Sequence, residues 1–317
     1  MNQNFLFDEF KIIGSNTAKY LDSFRNLLFT GSTVLITGET GTGKELAARW
    51  IHFNDPKRSN NPFVKITIPN IGENIFESEV FGYEKGAFTG AVSSKKGLIE
   101  VCEGGSLFFD EIENASPAVQ SKLLQLFEDR LYRKVGDTSY KKTNARFIVA
   151  ANKDLLEEVR KNNFRQDLYY RLAVIELKMP PLRERGKDIL EIANYYIEKY
   201  SKELEKGVML LTRKDYPRLS SYTWPGNIRE LKNFIEKAVI FSKDNGIDLS
   251  TLEKAVPPTQ TALEEIYAYK EYIRLKEQEL FIKALSMCNG NVEQTAFLIK
   301  MSVPFVYKKV KELGIRI

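Results

Sequence analysis

Short apolar runs alternate with helical patterns through the first half of the chain. "TVLIT" (33–37), "FVKITI" (63–68), "SLFFD" (106–110), "RFIVAA" (146–151) and "AVIEL" (173–177) read as buried strands. Between them, "KELAARWIHF" and "PAVQSKLLQLFEDR" place apolar residues three and four apart, the spacing of one helix face. Strand and helix in alternation predict an α/β fold: a mainly parallel sheet with helices on both faces. After "MPPLRERGKDI" the strand pattern stops, and residues from about 187 to 243 are helical in pattern, broken at "WPGN" (224–227). The polar, two-proline stretch "AVPPTQTALEE" (255–265) reads as a linker. The tail from about 272 reads as three short helices separated by "NGN" (289–291) and "KMS" (300–302). These boundaries predict an α/β domain over 1–177, an all-α subdomain over 178–250, a linker over 251–271 and a helical domain over 272–317.

Composition narrows the class without naming a chemistry. The 317 residues exceed one compact core, and 43% hydrophobic with 28% charged residues is the balance of a soluble globular protein. No apolar run reaches the length of a membrane span, and "MNQNFLFDEF" lacks the basic start and cleavage pattern of a signal peptide. Cys102 and Cys288 lie far apart without metal-ligand company, so free thiols in a cytoplasmic protein are expected. The net charge of +5 is mild, but the tail concentrates Lys300, Lys308, Lys309, Lys311 and Arg316 against Glu312. That asymmetry permits nucleic acid as a partner.

The chemistry begins at "VLITGETGTGKE" (34–45), a strand, a glycine-rich turn and a helix start with the spacing G-x-x-x-x-G-K. Gly38, Glu39, Thr40, Gly41, Thr42 and Gly43 would cradle phosphates with backbone N–H groups, and Lys44 would reach the terminal phosphates of ATP. Glu45 stands where such loops usually carry Ser or Thr, so Mg2+ would lean on phosphate oxygens, water and a second acidic motif. "GGSLFFDE" (104–111) supplies that motif, ending a strand in Asp110 and Glu111 at the sheet's ligand-binding edge. Asp110 suits the metal through water, and Glu111 suits polarising an attacking water. The lone histidine, His52, is expected to pack rather than to catalyse. A third stretch, "FGYEKGAFTGA" (81–91), puts Phe88 on a stalk bracketed by Gly86 and Gly90, where a core role is unexpected.

Together "GETGTGKE", "ESEVFGYEKGAFTGA", "GGSLFFDEI", "FRQDLYYRL", "PPLRERGKDI" and "WPGNIRELKN" resemble the bacterial enhancer-binding proteins, AAA+ P-loop ATPases that activate the sigma-54 form of RNA polymerase. The likeness runs from about residue 12 to 243, and the hexapeptide at 86–91 is its most specific part. It implies an AAA+ domain with a helical lid, ATP and Mg2+ as cofactors, and a homo-oligomeric ring, hexameric in the family. By the same likeness, Asn152 matches the residue that reports the terminal phosphate, and Arg229 matches the lid arginine. Arg165 and Arg171 match arginine fingers that complete a neighbour's site; read alone, they are ordinary surface pairs. Gly86, Ala87, Phe88, Thr89, Gly90 and Ala91 match the loop that contacts sigma-54.

Departures from the family pattern bear on regulation and DNA contact. Thr67 stands where the family has an Asn that holds the catalytic glutamate; a threonine can donate to Glu111 with shorter reach. Ala151 replaces a threonine beside Asn152. The tail resembles a Fis-like helix-turn-helix, with Gln294, Ala296 and Leu298 on its first helix. Ser302 is expected to cap the second, which carries Phe305, Tyr307, Lys308 and Lys309 toward enhancer DNA. Val303, Pro304 and Phe305 replace the family's early basic pair, leaving mainly phosphate contacts to lysines. Only about eleven residues precede the likeness. Either this is a short member without the usual receiver domain, controlled in trans by a partner protein, or the chain is trimmed. Two rival readings stay open: a DNA-binding regulator with a vestigial ATPase acting by occupancy, and a general AAA+ chaperone or helicase loader. The intact acids and arginines weigh against the first, and the hexapeptide against the second.

Overall fold

A computed structural model describes residues 13–207, 210–242, 247, 249, 277–278, 280–288 and 290–315. The chain divides into two compact units, residues 1–253 and 254–317, each described by itself.

The first unit opens with α1 (Ser15–Asp22), β1 (Val34–Thr37), α2 (Lys44–Phe53), β2 (Phe63–Thr67) and α3 (Glu73–Val80). It continues through β3 (Ser106–Asp110), α4 (Pro117–Asp129), β4 (Arg146–Ala151), α5 (Leu155–Arg160), α6 (Gln166–Leu172) and β5 (Ile175–Lys178). The five strands form one parallel sheet in the order β2-β3-β4-β1-β5. Successive strand residues point to opposite faces, and the two cores divide the strands accordingly. Val34, Ile36, Phe108, Ile148 and Ala150 pack with Ala47, Ala48 and Ile51 of α2. Leu35, Leu107, Phe109, Phe147 and Val149 pack under α3, α4 and α6. Burial on both faces is why these strands read as unbroken apolar runs rather than as alternating ones.

Most strand ends expected from sequence hold to within a residue, and the exceptions have local causes. The last strand is 175–178 rather than 173–177: Ala173 closes α6 and Val174 is exposed, so the chain needs two residues to turn back to the sheet. Helix α4 begins with Pro117 behind Ser116, whose side chain accepts the Val119 N–H, and ends where Arg130 adopts the left-handed conformation. The hexapeptide is not an insertion within one helix. It follows the end of α3 and rides on a two-residue hairpin, Gly82–Tyr83 against Lys95–Lys96, before a short helical turn at Leu98–Val101.

The helical subdomain is α7 (Asp188–Glu203), α8 (Tyr216–Ser221) and α9 (Asn227–Phe241), closed around buried Trp224. The Trp224 indole N–H donates to the Leu219 carbonyl at 2.7 Å, so the buried ring leaves no orphaned donor.

In the second unit, residues 280–287 are helical, followed by α10 (Val292–Leu298) and α11 (Val303–Glu312). Phe281, Leu285, Val292, Ala296, Val306 and Val310 form its small core. The three helices stand where the sequence pattern put them. The linker expected at 251–271 lies outside the described residues, as does Arg316.

Candidate nucleotide site and the loop at residues 84–92

The phosphate loop leaves β1 at the carboxyl edge of the sheet and enters α2 through Gly43, which has φ 91°. The first-turn N–H groups of α2 lack intrahelical partners and carry the positive end of the helix dipole, a ready anion site. A cavity of about 290 Å³ opens there, lined by Thr40, Gly41, Gly43, Lys44, Glu45, Asp110, Glu111, Asn152 and Arg229 among others. Nine of the residues singled out from sequence thus share one pocket. Four of the nine come from three other parts of the chain: the end of β3, the end of β4 and the first turn of α9.

Lys44 is buried and folded over the loop, donating to the Gly38 carbonyl (2.7 Å), the Glu39 carbonyl (3.0 Å) and Asn152 Oδ1 (2.6 Å). Burial pushes its ammonium below the ordinary lysine value, opposed by the charges of Asp110, Glu113 and Glu111. A lysine already stripped of water and ringed by acceptors is poised to exchange them for phosphate oxygens. Glu111 sits at the strand end with φ 58° and ψ 47°, a left-handed backbone unusual for a non-glycine residue and typical of functional positions.

Thr67 does not hold Glu111. It stands opposite Asp110 in the β2–β3 ladder, and the side-chain donor on Glu111 Oε2 is Asn114, at 3.2 Å. The tight turn after Glu111 brings position 114 back under the carboxylate, while the ladder points Thr67 at the preceding residue.

The helical subdomain clamps the phosphate loop. The Asn227 side chain donates to Glu39 Oε2 and to the Thr40 carbonyl, both at 3.1 Å, and accepts the Leu182 N–H at 2.7 Å. The Ile228 N–H donates to the Gly41 carbonyl at 3.0 Å. Gly41 has φ 80°, and a Cβ there would collide with the Gly226 carbonyl, so this close approach requires glycine on the loop. Buried Arg185 donates to the Thr42 carbonyl, and its burial pushes the guanidinium down to about 10. Sequence reading used "WPGN" as a helix break and as part of a family motif; it missed that Asn227 and Arg185 hold the loop. The positive φ of Asn227, 52°, leaves no trace in the sequence except the residue type.

Two further residues also escaped sequence reading, one behind the pocket and one in its lining. Glu113 Oε1 accepts the Asn152 N–H at 3.1 Å, while its buried Oε2 has no protein partner among the described residues. Lys65 lines the cavity between Glu45 and Asp110.

The fit to a nucleotide and its metal follows from these groups. The loop and Lys44 match a polyphosphate. Among the described residues no cluster of three or more His, Cys, Asp or Glu could hold a metal by itself. One or two carboxylates beside a phosphate site suit Mg2+, which keeps its waters and shares phosphate oxygens.

Arg165 and Arg171 lie outside this cavity. Arg165 pairs with Asp167 at 2.7 Å and donates to Ser121 Oγ, on the exposed surface. Arg171 donates to the Phe127 and Glu128 carbonyls at the end of α4, each at 2.8 Å. His52 is buried, with Nδ1 2.9 Å from Ser106 Oγ, and burial lowers its pKa to about 4. It is a neutral packing residue, as expected. Cys102 is also buried, its thiol pushed up to about 12, and both cysteines are free.

The hexapeptide loop is organised by its own backbone. Gly86 N–H donates to the Ala91 carbonyl (2.9 Å) and Ala91 N–H to the Phe88 carbonyl (3.0 Å). Gly86 (φ 84°) and Gly90 (φ 98°) use the left-handed region, and nothing stands where their side chains would be. Glycine is there for backbone shape alone. Phe88 is 47% exposed, edge-on to Tyr83 at 5.0 Å between centroids. It borders a groove of about 500 Å³ with Ile75, Phe76, Val119 and Val135. A second hairpin, Leu131–Tyr132 against Lys141–Lys142, supplies Val135, which exchanges backbone bonds with Glu84 and Gly82.

In the second unit, Phe305, Tyr307 and Lys308 are exposed on α11. Ser302 occupies the N-cap position but makes no side-chain capping bond; Pro304 in the first turn removes one of the donors a cap would serve. Lys309 is already paired, 2.8 Å from Glu277, so it is less free for phosphate than expected. Asn291 does cap α10, its side chain accepting the Gln294 N–H.

No described helix is long and apolar enough to cross a membrane. The Sigma-54 interaction domain family matches residues 12–178, more than half of the chain, and the AAA+ ATPase lid domain family matches residues 183–266. The nitrogen fixation protein AnfA of Azotobacter vinelandii is 39% identical over 290 residues, covering 90% of this chain and 54% of AnfA. The regulatory protein AtoC of Escherichia coli K12 is 38% identical over 291 residues, covering 90% of this chain and 63% of AtoC. The chain thus spans between half and two thirds of these curated relatives. Among solved structures, NtrX from Brucella abortus superposes with a TM-score of 0.71 at 26% identity, covering 97% of this chain and 70% of NtrX. NtrX has also been solved in complex with ADP and with ATP.

Proposed function

Because the chain belongs to the sigma-54 interaction domain family, we propose that it is an ATPase that remodels the sigma-54 RNA polymerase closed complex at promoters. The observation that carries this reading is the pairing, within one compact unit, of a phosphate pocket with a loop that exposes Phe88, Thr89 and Gly90. Lys44 and the α2 N-terminus bind the phosphates of ATP. Magnesium, when bound, supplies charge neutralisation beside Asp110, and the chain's own residues do the rest. Glu111, steadied by Asn114, orients the attacking water; Asn152, bonded to Lys44, couples that position to the end of β4. Arg229 reaches the phosphates from the lid.

Arg165 and Arg171 act in trans, in a ring that is hexameric in the family. Their exposure outside their own chain's cavity supports that reading, because a finger must leave its own body to complete a neighbour's site. The ring sits in the cytoplasm and presents Phe88 and Thr89 of each subunit to sigma-54. The 272–317 domain holds enhancer DNA as a helix-turn-helix behind a 251–271 linker. Phe305, Tyr307 and Lys308 face the duplex, and Lys309 joins them once it leaves Glu277. The test is capture of sigma-54 by the chain loaded with ADP and aluminium fluoride. Wild type and a chain lacking residues 264–317 are expected to form the complex. Thr89→Ala is expected to lose it while keeping ATPase activity within about twofold; full capture by that variant would overturn the contact.

A further inference from the structure

The phosphate pocket contains a cation that the motif does not call for. Lys65 lies mid-strand in β2, its ammonium 5.9 Å from the Phe108 ring centroid, on the sheet face that packs α2. Lys65 Nζ donates to Glu45 Oε2 at 2.7 Å and lies 2.9 Å from Asp110 Oδ2. Glu45 Oε1 takes Arg49 instead, through Nε at 3.1 Å and Nη2 at 2.8 Å. Both Glu45 oxygens are therefore committed to cations, and one oxygen of Asp110 is too. The contacts are mutually reinforcing. Burial alone would raise the Glu45 carboxyl, yet the bonds from Lys65 and Arg49 hold it below its ordinary range.

We propose that Lys65 is an internal counter-ion of the nucleotide site that competes with magnesium for Asp110 and lowers the metal dependence of nucleotide binding. The inference rests on the pocket being the ATP site. The argument is one of charge. ATP without metal enters a pocket lined by Glu45, Asp110 and Glu111, and Lys65 offsets part of that negative charge. Magnesium nucleotide, to engage Asp110, must either displace the ammonium from Oδ2 or use Oδ1 of a carboxylate whose charge Lys65 already offsets. Removing the lysine charge therefore weakens metal-free binding and strengthens the metal-assisted kind, so both effects widen the ratio of the two affinities.

The test is calorimetric titration of the full chain with a non-hydrolysable ATP imido analogue, in excess magnesium and in EDTA. Lys65→Gln is expected to raise the ratio of magnesium to metal-free affinity by about five- to tenfold, and Lys65→Arg to leave it near wild type. Lys65→Met, which keeps the stem against Phe108, serves if the glutamine variant melts early. An unchanged ratio in the neutral variants, or an equal rise in Lys65→Arg, overturns the proposal while leaving the ATP site intact. Failure of the wild type to bind the analogue under either condition would instead overturn the nucleotide reading beneath it.

Discussion

The phosphate pocket and the 84–92 loop belong to one compact unit, yet opposite means hold them. The pocket is tied by charge and by distant chain segments. Lys44 has three acceptors, Asn227 bridges three groups, and Arg185 reaches from beyond β5 to the loop. The hexapeptide loop has backbone turns, one aromatic edge contact and a partner hairpin. A buried charged network is costly to disturb, because each group left unpaired retains its desolvation penalty. An exposed turn is cheap to move. The difference suits an engine whose chemistry must be pre-set while its contact surface shifts.

The sharpest way to break the comparison is at the pocket. Glu111→Gln is expected to slow ATP hydrolysis by about a hundred- to ten-thousandfold while nucleotide affinity stays near wild type. A phosphate-release assay beside a binding titration would separate the two. Asn227→Ala comes next. It strands the Leu182 N–H and puts alanine at a positive φ, so a stability loss of about 2–4 kcal/mol is expected in urea denaturation. Weaker nucleotide binding should accompany it, and a variant with unchanged stability would mean the lid turn does not clamp the loop.

The pH response reports the sheet core behind the pocket. The folded chain holds His52 near 4, below the ordinary 6.5, so between those values the unfolded chain binds a proton that the folded chain refuses. This contribution is full above about pH 6.5 and falls as pH drops toward 4, by on the order of 3 kcal/mol. Denaturation midpoints across that window, compared with His52→Gln, would isolate it. The smallest effect belongs to the loop. Phe88→Ala is expected to cost under about 1 kcal/mol of stability and to leave hydrolysis nearly unchanged, while sigma-54 capture is lost. A large destabilisation would show that Phe88 anchors the loop in its groove.

Much of the site was legible because phosphate chemistry uses residues at short, fixed spacings. The run from Gly38 to Lys44 and the Asp110–Glu111 pair are each local, and the fold brings both to one cavity. The residues that escaped notice act through contacts set by register and by chain return. Lys65 reads as an ordinary polar position inside a strand until the ladder places β2 beside β3. Asn114 reads as a turn residue until that turn brings it to Glu111. The cap expected at Ser302 shows the converse error: the right residue type at the right position forms no bond.

The sequence by itself determined the order of strands and helices, the phosphate loop, the acidic strand end and the glycine-bracketed hexapeptide. Each depends on residue type within a few positions, where backbone sterics and periodicity act. Only the tertiary structure decided which donor meets Glu111, which cation meets Asp110 and which turn closes on Gly41. The last two choices join residues 45 apart (Lys65 and Asp110) and 187 apart (Gly41 and Ile228) and follow from how the sheet and lid pack, whereas Asn114 meets Glu111 only three residues on, through the shape of one turn.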